Sequence, residues 1–73
     1  MQREKLQTGV NQANKRVGLC EQRIARQREF VLGLERLGNN SIAARALLDE
    51  LEIRRIVLIT QRDALSRELQ KLR

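Results

Sequence analysis

The segment LGNNS, residues 37–41, is the strongest helix-breaking signal in a chain of 73 residues that has no proline and only four glycines. Gly38 suits the left-handed conformation that follows a helix end, and Ser41 is a good N-cap residue for a second helix. Two near-equal helices joined by one short turn form an antiparallel hairpin. The expected parts of this single domain are a first helix over about 3–37, a turn over 38–41 and a second helix over about 42–72.

Seam residues recur on both sides of the turn at alternating spacings of three and four, the repeat of a coiled coil. The predicted seam of the first helix is Leu6, Val10, Ala13, Val17, Cys20, Ile24, Gln27, Val31 and Leu34. That of the second helix is Leu48, Leu51, Arg55, Leu58, Arg62, Leu65, Leu69 and Leu72. The pattern predicts an all-α fold, an antiparallel two-helix coiled-coil hairpin.

Folding the chain about Ser41 predicts which seam residues face each other. The predicted layers are Leu34 with Leu48, Val31 with Leu51, Gln27 with Arg55, Ile24 with Leu58, Cys20 with Arg62, Val17 with Leu65, Ala13 with Leu69 and Val10 with Leu72. The predicted flanking ion pairs are Glu35 with Arg45, Arg28 with Glu52 and Arg16 with Glu68. Two of these layers are polar, Gln27 with Arg55 and Cys20 with Arg62. They are either a half-solvated part of the seam, across which arginine lays its apolar stem, or a feature that sets the register or contacts a ligand.

The stretch RRIVLITQRD, residues 54–63, has more consecutive apolar residues than a seam requires. Several apolar residues of both helices fall outside the seam, and large exposed apolar patches usually mark an interface. We expect them to form one strip that pairs two hairpins into a dimeric four-helix bundle, with a helix of another protein as the alternative occupant. The predicted interface residues are Leu19, Phe30, Leu32, Ile53, Ile56, Val57 and Ile59.

The composition argues against catalysis. The chain has no histidine, tyrosine or tryptophan, and it has no glycine-rich phosphate loop or set of metal ligands. Its one thiol, Cys20, stands at a seam position and is expected to be a small buried hydrophobe. We expect no enzyme activity, no cofactor and no metal.

The same composition predicts a soluble, cytoplasmic protein. A single cysteine suits a reducing compartment. The longest apolar run has four residues, far below the roughly 20 that span a bilayer, and residues 1–16 lack the apolar core of a signal peptide.

The net charge is +6 with a pI near 11.1, and 12 of the 15 basic residues are arginine. This balance favours acidic partners or nucleic acid, although arginine also serves simply to solvate a helix face. A basic stripe for phosphates is predicted at Lys15, Arg16, Arg23 and Arg26. Phe30 is the only aromatic residue, so base stacking has almost no support.

The segments RIARQR (23–28), LERLG (34–38) and RDAL (62–65) resemble a group of small helical proteins of unknown function from rhizobia and related alphaproteobacteria. The resemblance covers about two-thirds of the chain. That group is expected to have an acidic, histidine-containing turn with a threonine cap, whereas this chain has Asn39, Asn40 and Ser41. The resemblance implies a bacterial origin and a helical hairpin, and it implies no activity.

These observations together predict a non-enzymatic coiled-coil protein–protein interaction module, homo-oligomeric, that serves as a small adaptor or regulator. The alternative is a basic helical bundle that binds RNA or DNA through phosphate contacts. Such a bundle is similar in size and shape to Rop-like dimers of helical hairpins. A basic amphipathic helix lying on an anionic membrane is a minor third option.

Overall fold

The computed structural model describes residues 2–72 and contains two helices. α1 runs over Gln2–Arg36 and α2 over Ile42–Lys71, and they pack side by side in opposite directions. No strand occurs within the described range. The predicted all-α antiparallel hairpin is therefore confirmed. It is a rod of 55 × 14 × 13 Å.

A Schellman motif ends α1 at the predicted glycine. Gly38 has φ of 71°, the left-handed conformation that costs glycine little. The Asn39 N–H donates to the Leu34 carbonyl at 2.9 Å and the Gly38 N–H donates to the Glu35 carbonyl at 3.1 Å. These two bonds satisfy carbonyls of the last turn and reverse the chain within a few residues.

The cap of α2 comes from a different side chain than the one predicted. Ser41 occupies the N-cap position, but with φ −109° and ψ 7° its hydroxyl makes no capping bond. The side-chain oxygen of Asn40 instead accepts the Ile42 N–H at 2.9 Å. The Ser41 carbonyl accepts the Arg45 N–H at 2.8 Å, which is the first hydrogen bond of the helix.

The core is a thin seam formed mostly by α1. Its buried residues are Val10, Ala13, Val17, Cys20, Ile24 and Val31 of α1, with Ala44 and Leu69 of α2. All except Ala44 stand at predicted seam positions. The prediction that Cys20 is a small buried residue is confirmed. Within residues 2–72, no large side chain is fully buried.

The predicted pairing of the two helices along the seam is wrong by about one heptad. The Gln27 side chain donates to the Ala44 carbonyl at 2.9 Å and the Cys20 thiol donates to the Leu51 carbonyl at 3.5 Å. Leu65 lies beside Gly9, where an added Cβ would stand 3.6 Å from its side chain. Gln27 therefore does not face Arg55, and Cys20 does not face Arg62. Relative to the predicted layers, α2 is displaced along α1 by about 10 Å.

The position of the turn explains this displacement. The predicted layers placed the centre of the reversal at Ser41. In the structure the Schellman bonds end α1 at Arg36 and reverse the chain around Gly38. Ala44, outside the predicted seam, consequently becomes the buried α2 residue nearest the turn.

Cross-linking to the single native thiol tests this register. With Leu51→Cys we expect fast disulfide formation to Cys20 under mild oxidation, because the Cys20 sulfur already contacts the Leu51 backbone. With Arg62→Cys we expect little intramolecular cross-link, because residue 62 lies about 16 Å further along α2 than residue 51. The yield is read as the band-shift fraction on non-reducing gels at low protein concentration. A higher yield for Arg62→Cys than for Leu51→Cys would support the layers predicted from the sequence and contradict the register of the structure.

Candidate interaction surfaces

An apolar patch lies on the outer side of α2, and Ile56 at its edge also lines a groove between the two helices. Ile53, Ile56 and Val57 are 63%, 63% and 49% exposed, and their spacing places them on one helix face. Thr60 is one turn further along, and its hydroxyl donates to the Ile56 carbonyl at 2.9 Å. This α2 outer patch, formed by Ile53, Ile56, Val57 and Thr60, can therefore be covered without leaving that hydroxyl unpaired.

The seven predicted interface residues do not form one strip. Ile56 borders a groove that also contains Ala25 and Arg28, whereas Leu19 borders a groove on the other side of the seam that contains Arg23. Leu32 follows Ala25 by seven residues and Phe30 follows Arg23 by seven, so each lies on the same side as the residue it follows. Ile59 is half-buried beside the seam.

The flank that contains Ala25 and Arg28, the first flank, carries paired charges. Its interhelical ion pairs are Glu21 with Arg55 at 3.2 Å, Arg28 with Glu52 at 3.0 Å and Glu35 with Arg45 at 2.6 Å. The last two match the prediction, whereas Arg16 does not pair with Glu68, which accepts from Lys71 at 3.3 Å. The hydrogen bond and charge of Glu35 raise the pKa of Arg45 above its ordinary value. All three pairs are exposed and contribute roughly 0–1 kcal/mol each.

The opposite flank carries a groove with unpaired arginines. It has a volume of ≈ 250 Å³, with Arg16, Arg23 and Arg54 around it and a floor of Leu19, Cys20, Leu51 and Leu58. Among the interactions within residues 2–72, none of these three guanidinium groups has an ion pair or a hydrogen bond. We call this feature the arginine groove. A second groove on the same flank shares Arg16 and Leu58 with it, so the two adjoin.

The structure brings together only part of the predicted basic stripe. Arg16 and Arg23 both line the arginine groove. Arg26 lies outside it, beside Ala25 and Glu29. Lys15 is exposed and stands about 100° around α1 from Arg16, so it points away from the groove.

Arg54 is the functional candidate that the sequence analysis missed. In the predicted register it stood opposite Arg28, about 18 Å along the helix axis from Arg16 and about 7.5 Å from Arg23. The displacement by one heptad brings it onto their groove. The sequence signal that could have identified Arg54 is Gly38. Centring the chain reversal at Gly38, and not at Ser41, shifts the predicted layers by one heptad and places Arg54 beside Arg23.

Neither a metal site nor a membrane span emerges from the described part of the chain. No group of three or more histidine, cysteine, aspartate or glutamate side chains there could hold an ion. Neither helix in that range is long and apolar enough to cross a bilayer.

Comparison with known proteins yields no relative. No protein-family model matches the chain, and no curated protein or solved structure resembles it at a significant level. Two surfaces of the hairpin are therefore the candidates for function, the α2 outer patch and the arginine groove.

Proposed function

We propose that this chain is a non-enzymatic protein–protein interaction module that acts as a homodimer. Two hairpins would pack through their α2 outer patches into a four-helix bundle. The observation that carries the proposal is the exposure of Ile53, Ile56 and Val57 on one helix face. A module of this kind serves as a small adaptor or regulator.

The accessible surface supports association. The hairpin exposes 5906 Å², whereas a compact monomer of its 8.5 kDa mass exposes roughly 4,700 Å². If each chain covered that excess, a dimer would bury about 2,400 Å² in total, within the range of stable homodimers. A small domain with a thin core and no disulfide is also of the kind that oligomerisation stabilises.

The charges at the ends of the patch favour a second copy as the occupant. Glu50 precedes the patch by one turn and Arg67 follows it by two. Both are exposed, and neither has an ion pair or side-chain hydrogen bond within the described residues. Antiparallel packing of α2 on α2 of the other protomer, with the two-fold axis near residues 58 and 59, would bring Glu50 of each chain near Arg67 of the other. A two-fold axis makes that pairing twice.

Solution mass tests the dimer, with Ile56→Glu as the disrupting variant. We expect the unmodified protein to have twice the chain mass by light scattering. Ile56→Glu should raise the dissociation constant by about a hundredfold or more, because a carboxylate would be buried in an apolar interface. Leu32→Glu is the matched control, since Leu32 is 50% exposed but lies on the first flank. It should remain dimeric.

Circular dichroism should show equal helix content for all three proteins. A monomeric unmodified protein at high concentration would refute the dimer. Equal dissociation of both variants would move the interface from the outer patch to the first flank.

A further inference from the structure

We infer that the arginine groove is a docking site for an acidic amphipathic helix of another protein. This surface lies beside the seam and is separate from the α2 outer patch. The inference therefore goes beyond self-association: each protomer of a dimer would carry its own groove.

The first reason is the contrast between the two flanks of the same hairpin. On the first flank Arg28, Arg45 and Arg55 each bind a carboxylate of the other helix. On the groove flank the guanidinium groups have no such partner in residues 2–72. Arginine presents five donors in a planar fork that fits carboxylates. The groove thus offers three unused binding groups for acidic side chains.

The second reason is the apolar floor. Leu19 is 54% exposed there, and Leu51 and Leu58 are half-buried. The thiol hydrogen of Cys20 is donated to the Leu51 carbonyl, so it is not left unpaired if the floor is covered. An occupant must therefore be apolar along its centre, which a phosphodiester backbone is not. The single aromatic residue of the chain also gives bases almost nothing to stack on.

The dimensions fit a helix laid along the hairpin. Arg16 and Arg23 are two helical turns apart, about 10 Å, which matches carboxylates seven residues apart on a neighbouring helix. Arg54 comes from the opposite wall, α2, and faces the other edge of the occupant. The adjoining second groove extends to Gly9, so the two grooves together span about 21 Å, or four helical turns. An apolar stripe with acidic residues on both edges is the complement of these two grooves.

Binding of designed peptides tests the inference. The probe is a fluorescein-labelled synthetic helix of about 18 residues, with leucine along one face and glutamate on both edges. Its counterpart has lysine in place of every glutamate. We expect only the glutamate peptide to raise the fluorescence anisotropy at micromolar protein. Its affinity should fall as salt is added, because the charges at the groove edges are exposed.

Two charge reversals about two turns apart on α1 distinguish binding at the groove from an effect of net charge. Arg23→Glu should weaken binding of the glutamate peptide by about tenfold. Lys15→Glu makes the same change in net charge on the side of α1 away from the groove, and it should weaken binding less than about twofold. Arg23→Gln, which adds no negative charge, should give an intermediate loss.

Several results would overturn the inference. They are no binding of the glutamate peptide at millimolar concentration, equal binding of the lysine peptide, or equal losses for Arg23→Glu and Lys15→Glu. Tighter binding of a single-stranded RNA of about 20 nucleotides, lost in Arg23→Glu, would assign the groove to nucleic acid instead. Ile56→Glu should bind the glutamate peptide as well as the unmodified chain does, so a failed dimer and a failed groove give different results.

Discussion

Replacing Ile24 with alanine is expected to lower the free energy of unfolding by about 3 kcal/mol per chain. Ile24 is 4% exposed, at the middle of the seam. The change removes buried carbon atoms and leaves a cavity that neighbouring seam residues can fill only in part. A value near the lower end of the usual range is expected because the seam has only two helices. Such a loss is large for a domain whose total stability is about 5–15 kcal/mol.

Ile42→Ala is the matched control for Ile24→Ala. Ile42 is 75% exposed, and the bond that caps α2 uses its backbone N–H, not its side chain. We expect a change below about 0.5 kcal/mol. Both values come from urea unfolding followed by circular dichroism at one protein concentration, because association would add to stability. Similar losses for the two variants would mean that the seam is not the core.

The hairpin was predictable because two independent local signals agree on it. The spacing of seam residues such as Val10, Val17 and Ile24 allows only one face of α1 to be buried, and the structure buries that face. Gly38 marks the end of the first helix in both sequence and structure. Local conformation and apolar periodicity therefore fixed the fold without information about long-range contacts.

The register was not predictable from the repeat, because a seven-residue shift presents the same seam positions again. Charges did not resolve the ambiguity. Arg28 with Glu52 and Glu35 with Arg45 form in the structure even though the predicted layers were wrong. Long arginine side chains reach partners on either of two neighbouring turns. The turn decides the register, since the hydrogen bond from the Asn39 N–H to the Leu34 carbonyl sets where the chain reverses.

The candidate surfaces depended on that register. A helical-wheel projection of each helix shows correctly that Leu19 and Ile56 lie outside the seam, but it does not show that they border different grooves. Two packed helices direct their flanking residues to opposite sides of the hairpin. The exposed residues were therefore predictable from the sequence, but their grouping into surfaces was not. In particular, the sequence did not predict that Arg54 lines the same groove as Arg16 and Arg23.

Substitution by alanine is expected to have opposite effects on stability at Gly38, in the turn, and at Gly18, inside α1. Gly38→Ala should lower the free energy of unfolding by about 1–2 kcal/mol, because Gly38 has φ of 71° and a Cβ in that conformation crowds the neighbouring carbonyl. Gly18→Ala should raise it by about 0.5–1 kcal/mol, because Gly18 lies inside α1 and alanine favours the helix. Apart from the two adjacent residues and, at Gly18, the backbone of its own helix, a Cβ meets no atom within 4 Å at either position.

Because both substitutions add the same methyl group in open space, the difference between them isolates backbone conformation. The comparison uses urea unfolding of the two variants at one protein concentration. A gap of about 2 kcal/mol, with Gly38→Ala the less stable, would show that the left-handed residue holds the reversal in place. Two variants of equal stability would mean that the turn relaxes when Gly38 is replaced. The position of the reversal, and with it the register that brings Arg54 to the arginine groove, would then need another cause.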